Sequence, residues 1–443
     1  MLEEYRIEGR RAREISASVE RGVGEGALAP GQLLPPVREL ATELGVNPNT
    51  VSAAYRALRE RGVVETAGRR GTKVRARPST TPREAIGVEL PPGATDISQG
   101  NPDTALLPPL GPALAAAAAR AQERPVLYGD PPVDAELERA ARAALDADGV
   151  ADGPVAVTSG SLDAIERVLA AHLRPGDAVA VEDPGWGSLL DLVPALGLRA
   201  VPVAVDDEGP LPGELERALD QGARAVVVTD RAQNPTGAAV SEARAGELRG
   251  VLAAHPGTLL IEDDHGHGIV DLPLHPLMGG TAHWALVRST AKAYGPDLRL
   301  AVLTGDATTV GRVAGRQRLG PGWVSRLLQD AVAHLWREGA VDAREVARSY
   351  GERRDALVRE LAERGIPSHG RSGMNVWVPV PDETGAVTRL LHAGWAVAPG
   401  ARFRLDSPQA VRLTVSQLAP ADIPAVADAV SAALRRGEAR RYE

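Results

Sequence analysis

The 443 residues are 44% hydrophobic with a formal net charge of −8, enough material for two or three folded domains with real cores. Cysteine is absent, which excludes disulfides and thiolate metal sites and agrees with a reducing compartment. The N-terminal stretch is charged and no run of about eighteen apolar residues occurs, so neither a signal peptide nor a membrane helix is expected, and the reading is a cytoplasmic protein.

Charge is unevenly placed along the chain. Residues 1–77 hold 14 basic against 10 acidic side chains, a net +4, which leaves −12 for the remainder. A basic head on an acidic body suggests two kinds of partner, with an anionic polymer for the head.

In chain order, residues 11–21 read as a helix. The breaker-rich stretch Gly31 to Pro36 then leads into a short amphipathic helix over 37–44. Gly45-Val46 turns the chain, Asn47 suits a helix N-cap and Pro48 the first helical position, so a further helix is expected from Pro48 to about Arg61. Helix, Gly-containing turn, helix is the DNA-reading unit, whose second helix enters the major groove by its N-terminal end, here Asn49, Thr50 and Ser52. Residues 62–74 look like two short strands joined by a basic tip. Arg69, Arg70 and Lys73 are there candidates for phosphate or minor-groove contacts. The alternative is a helical subdomain with a solvated basic loop.

Residues from about 11 to 75 resemble the winged helix-turn-helix of the GntR family of transcription regulators, on PGQLLPPVRELATELGVNPNTVSAAYRAL and the closing GRRGTKV. The resemblance implies that Arg38, Asn49, Thr50 and Ser52 contact double-stranded DNA. Pro48 and Ser52 stand where many members carry arginine, which implies fewer guanidinium contacts and a lower nonspecific affinity.

Residues 76–95 are rich in Pro, Thr and charge with no apolar period, and read as a linker between a domain over 1–75 and a body over 96–443. The body alternates short apolar runs with Ala-rich helical stretches, which argues a mostly parallel sheet covered by helices. Chemistry belongs at the strand ends of such a sheet. Val155 to Leu162 is a strand running into the Ser159-Gly160-Ser161 turn and a helix, a phosphate seat or a plain helix cap. Trp186 can stack on an aromatic ring or fill a core. Asn234, in Asn-Pro-Thr-Gly, can hydrogen-bond a ring hydroxyl. The strand from Leu259 ends in Glu262, Asp263, Asp264 and His265, where a buried carboxylate can hold a pyridine nitrogen protonated. Asp263, Asp264, His265 and His267 are alternatively metal ligands, although a third well-spaced ligand set is missing.

Only two lysines occur, Lys73 and Lys292. An amine forms a Schiff base with an aldehyde and a guanidinium does not, so Lys292, in Ser289-Thr290-Ala291-Lys292, is a candidate anchor for pyridoxal phosphate; the alternative is a solvated surface lysine.

Taken in order, Ser-Gly-Ser, Trp, Asn-Pro-Thr-Gly, Asp, Ser-x-x-Lys and Arg resemble the fold-type I aminotransferases over about residues 96–443. The resemblance implies a large mostly parallel sheet with a smaller α+β subdomain. It makes Lys292 the Schiff-base lysine, Asp263 the partner of the pyridine nitrogen, Asn234 the partner of the ring hydroxyl and Trp186 the stacking residue. Ser159, Gly160, Ser161, Ser289 and Arg299 would bind phosphate, and Arg412 would grip a carboxylate. Tyr128 would reach the phosphate of a neighbouring subunit, which implies a homodimer. His265 stands where a tyrosine usually assists the ring hydroxyl and can still donate that hydrogen bond, so cofactor binding is kept, but with Val133 in place of a usual glycine and Glu138 of a usual arginine the departures count against efficient transamination. Asn375 and Trp377 are candidates for the effector side of the pocket, or simple core.

Both halves in this order resemble the MocR subgroup of GntR regulators. That implies a DNA-binding regulator sensing an amine, an amino acid or pyridoxal phosphate itself, in amino-acid or vitamin B6 metabolism. A rival expectation is a working aminotransferase with an N-terminal DNA-binding domain.

Overall fold

In a computed structural model, residues 5–24, 27–29, 31–60, 63–66, 71–74, 82–83 and 90–438 are described. They fall into two units, one built chiefly on the first 80 residues and one on most of the rest.

The head consists of α1 Ala12–Gly24, α2 Val37–Leu44 and α3 Pro48–Glu60, followed by an antiparallel pair, β1 Val64–Thr66 and β2 Thr72–Val74. Local chemistry sets these boundaries. Gly45 ends α2 at φ 64°, a left-handed turn that favours glycine, and its N–H returns to the carbonyls of Ala41 and Thr42. Asn47 Oδ1 accepts the Asn49 N–H at 2.8 Å, meeting one of the donors left open at the start of α3. Ile15, Val19, Leu40, Val51, Leu58 and Val74 share one buried cluster, so the strand pair closes over the same core as the helices. Tyr55, also buried, donates its hydroxyl to Pro35 O at 2.8 Å. The first helix runs to Gly24 rather than to residue 21.

The strands of the body begin with β3 Thr95–Asp96, β4 Val155–Thr158, β5 Ala178–Asp183, β6 Arg199–Asp206 and β7 Gly209–Pro210. They continue as β8 Ala223–Thr229, β9 Leu259–Asp264, β10 His283–Ser289 and β11 Ala301–Gly305. β4 to β11 form one sheet in the order β4-β11-β10-β9-β8-β5-β6-β7. The runs Ala-Val-Ala-Val in β5 and Ala-Val-Val-Val in β8 are buried throughout, as a sheet covered on both faces requires. β8, β9 and β10 are parallel, whereas β11 runs antiparallel to both β10 and β4. β7 is likewise antiparallel to β6, so the expected mostly parallel sheet is mixed near both edges, and β4 points the same way as β8, β9 and β10.

The smaller α+β part contains β12 Asn375–Pro379, β13 Trp395–Ala396, β14 Ala398–Pro399 and β15 Ala410–Thr414. β12, β15 and β14 form an antiparallel sheet, and β13 pairs in parallel with β3. Ile97, Leu357, Val376, Leu413, Val426 and Val430 fill its core between the sheet and the helices Ala343–Glu363 and Ile423–Glu438.

β9 carries three successive acids, and alternation along a strand sends Asp263 to one face and Glu262 and Asp264 to the other. Asp264 accepts from Arg231 Nε at 2.8 Å and Arg288 Nε at 2.9 Å. Burial opposes its ionisation, but these two guanidiniums hold it well below the usual carboxylate range. Burial pushes Glu262 up to about 7. Asp230 is raised well above its ordinary value by burial and then by the charges of Glu262 and Asp264. Both groups are raised above their unfolded values, so the stability these carboxyls contribute is present in full in acid and is lost as pH rises, for Glu262 through about 7. Asp230→Asn is therefore expected to gain in melting temperature relative to the wild type as pH rises from about 5 to about 7. Parallel curves for the two proteins in thermal melts would rule this out.

Candidate functional site

Because β4, β8, β9 and β10 share a direction, their C-terminal ends meet at one sheet edge, the position where open α/β sheets take ligands. Ser159 to Ser161 follow β4, Asn234 follows β8, Asp263 lies near the end of β9, and Ser289 ends β10. Lys292 stands on the short helix Ala291–Tyr294 just beyond. Gly160, Ser161, Trp186, Asn234, Asp263, His265, Ser289, Lys292 and Arg299 all line one cleft of about 350 Å³. Asn375 joins them there.

One end of the cleft is a tight turn. Gly160 has φ 98°, and a Cβ on it would lie 2.8 Å from an Arg299 guanidinium nitrogen. Arg299 is itself left-handed at φ 44° and donates to Ser159 O at 3.2 Å. Ser161 opens the helix Ser161–His172, and its Oγ is buried without a hydrogen-bond partner among the described residues. The Ser159 N–H is taken by Asp163 at 2.9 Å, so this residue also serves the helix start. Ser289 Oγ accepts from the Ala291 N–H at 3.2 Å.

At the other end, Asp263 Oδ2 faces His265 Nδ1 at 3.1 Å, whereas Oδ1 is buried with no partner among the described residues. His265 Nε2 faces Ala232 O at 2.7 Å. The hydrogen bond from His265 to a ring hydroxyl, expected from the sequence, is thus not what its geometry provides, since both ring nitrogens are engaged by protein acceptors. Lys292 Nζ donates to Gly100 O. Asn234 uses its Oδ1 to accept from Arg412 at 2.8 Å, so its amide hydrogens remain for another acceptor.

Arg412 lies in β15, donates also to Ser98 O at 2.6 Å, and has its guanidinium carbon 4.6 Å from the centre of the Phe403 ring. Trp377 meets Phe403 edge-on at 6.1 Å and is buried with it, so it supports the arginine from the core rather than lining the cleft. Asn375 Oδ1 accepts from Thr414 Oγ1 at 3.0 Å. Sequence reasoning missed Phe403, although it is the only phenylalanine in the chain, and it missed the backbone carbonyls of Ser98 and Gly100.

Tyr128 is not in the cleft of its own chain. It is 94% exposed and stands edge-on to Trp323 at 5.7 Å. Val133 and Glu138 line a separate cavity with Arg120 and Arg326. Asp148, Asp264 and His267 come together on the far side of β9, where Arg231 and Arg288 already hold the carboxylates. In the head, Arg38 and Asn49 are exposed, Thr50 and Ser52 are partly so at the start of α3, and Lys73 on β2 is half-buried. Arg69 and Arg70 lie outside the described residues.

Residues 11–74 match the gntR family of bacterial regulatory proteins, and residues 93–430 match aminotransferase class I and II. The chain is also 42% identical over 436 residues to the vitamin B6 salvage pathway transcriptional repressor PtsJ of Salmonella typhimurium (strain LT2), covering 97% of this chain and 100% of that protein. The chain belongs to the MocR subgroup of GntR regulators. This MocR-type regulator is 30% identical to the pyridoxine biosynthesis transcriptional regulator PdxR of Corynebacterium glutamicum, over 60% of its own length and 59% of that protein's. Its fold matches the alpha-aminoadipate aminotransferase LysN of Thermus thermophilus, complexed with N-(5'-phosphopyridoxyl)-L-leucine, at a TM-score of 0.68 and 22% identity. That match covers 78% of this chain and 93% of the other. Among the described residues, no helix of the MocR-type chain is long and apolar enough to cross a membrane.

Gly160→Ala combines a left-handed backbone with a clash against Arg299. It is expected to cost about 1 kcal/mol or more of stability, read as a lower urea midpoint; an unchanged midpoint would show that the turn relaxes freely.

Proposed function

We propose that this regulator binds operator DNA through its head and pyridoxal phosphate in the body cleft, and that an amine, an amino acid or the cofactor itself is the signal. The observation that carries the reading is an unpartnered buried carboxylate oxygen on Asp263 in the same cleft as the amine of Lys292 and the Gly160–Arg299 turn. These groups fit the cofactor's pyridine nitrogen, aldehyde and phosphate in turn. When bound, pyridoxal phosphate supplies an aldehyde that condenses reversibly with primary amines. The chain's own residues do the rest. Lys292 presents the amine, Asp263 accepts the ring N–H, Asn234 donates its amide to the ring hydroxyl and Trp186 covers a ring face. Ser159, Gly160, Ser161, Ser289 and Arg299 hold the phosphate, with the orphan Ser161 hydroxyl as one donor. Arg412, fixed by Asn234 and Ser98, receives a ligand carboxylate by charge-assisted hydrogen bonds.

Tyr128 and its neighbour Leu127 are both exposed, 94% and 69% accessible, and Tyr128 stands against Trp323. Such a face suits a second copy of the chain, and we assign Tyr128 to the phosphate of that copy in a cytoplasmic homodimer. Arg38, Asn49, Thr50, Ser52, Arg69, Arg70 and Lys73 are assigned to the DNA. A ligand that favours one arrangement of the body shifts operator affinity only by its differential binding to the two arrangements. The name of the Salmonella relative supports vitamin B6 supply as the controlled process. A second reading, an active aminotransferase, is favoured by the completeness of the Lys292, Asp263 and Arg412 set.

Anisotropy titrations with labelled DNA from upstream of the coding sequence separate these readings. Loading with pyridoxal phosphate, or then adding an amino acid, is expected to change operator Kd about tenfold, roughly 1.4 kcal/mol, and Lys292→Ala to abolish the response. Unchanged Kd together with steady keto-acid production would establish the enzyme instead.

A further inference from the structure

His265 lines the cleft, yet neither ring nitrogen is left for a ligand. Nδ1 is 3.1 Å from Asp263 Oδ2 and Nε2 is 2.7 Å from Ala232 O. A carbonyl and a carboxylate only accept hydrogen bonds, and a neutral imidazole donates from one nitrogen alone, so donation at both ends requires the imidazolium. Burial opposes the charge, but the hydrogen bond and charge of Asp263 and then the Ala232 carbonyl outweigh it and raise the group above its ordinary value. Of the charged groups, Asp263 favours the cation most and Lys292 disfavours it.

We propose that His265 is a charged positioning residue, holding Asp263 with its free oxygen toward the cleft while its own charge opposes protonation of a ring nitrogen seated there. This rests on the reading of the cleft as a pyridoxal phosphate site. The carboxylate is then shared by two potential cations. A like charge a few ångströms from a base lowers its pKa by about one to three units, so the ring nitrogen is less protonated than beside an unshared aspartate. A less protonated ring draws electrons more weakly, which slows proton loss from a bound amino acid while leaving reversible amine exchange intact. One histidine thereby biases an aminotransferase-like cleft toward sensing.

The test loads the full-length wild type, His265→Gln and His265→Tyr with pyridoxal 5'-phosphate labelled with 15N in the ring. The ring-nitrogen resonance is followed against pH. Both neutral variants are expected to raise the titration midpoint by about one unit or more, a tenfold tighter hold on the proton. The tyrosine variant decides the matter should the glutamine variant lose the cofactor. Midpoints equal to that of the wild type, with cofactor bound, overturn the proposal alone. Failure of the wild type to bind cofactor overturns the reading of the cleft and this proposal with it.

Discussion

The register between β8, β9 and β10 decides which carboxylate faces the cleft. Asp263 pairs with Thr229 on one side and Val287 on the other. A slip of one residue would turn Asp263 away and bring Glu262 or Asp264 inward. What prevents it lies on the opposite face, where Asp264 is fixed between Arg231 and Arg288 and Glu262 accepts the Leu277 N–H. Turning those groups into the cleft would strand two buried arginines, a penalty of several kcal/mol. The ion network behind the sheet therefore secures the geometry in front of it.

The cleft differs in charge from the body around it. The body carries an excess of acid, but Lys292 and Arg299 line the cleft and Arg412 borders it through Asn234. Asp263 is the acid among the lining residues. Such a cationic cleft favours anionic groups on a ligand. Phe403 beneath Arg412 adds an apolar floor that shields the guanidinium from water on one side.

Much of this was legible in the chain. The caps at Gly45 and Asn47 act through neighbours in sequence, so the second and third helices of the head could be placed almost to the residue. The strand-end motifs were legible because each couples a strand to a turn, and a parallel arrangement brings those turns together. Three features were not. Arg231 and Arg288 meet Asp264 only through strand pairing, and neither has a local signature. Phe403 and Trp377 act from behind Arg412, a tertiary relation that periodicity does not encode. The partners of His265 were hidden for a similar reason: they are Asp263, two residues away, and the Ala232 carbonyl, 33 residues earlier in the chain.

The central claim is that one amine, at Lys292, is the attachment point for an aldehyde-bearing cofactor. The scarcity of lysine makes a direct test sharp, since Lys73 and the N-terminus are the other primary amines. Borohydride reduction of the protein with pyridoxal phosphate, followed by peptide mass mapping, is expected to place a single adduct on the peptide containing Lys292 and none in Lys292→Arg. An adduct confined to Lys73 or the N-terminus, or none at all in the wild type, would contradict it.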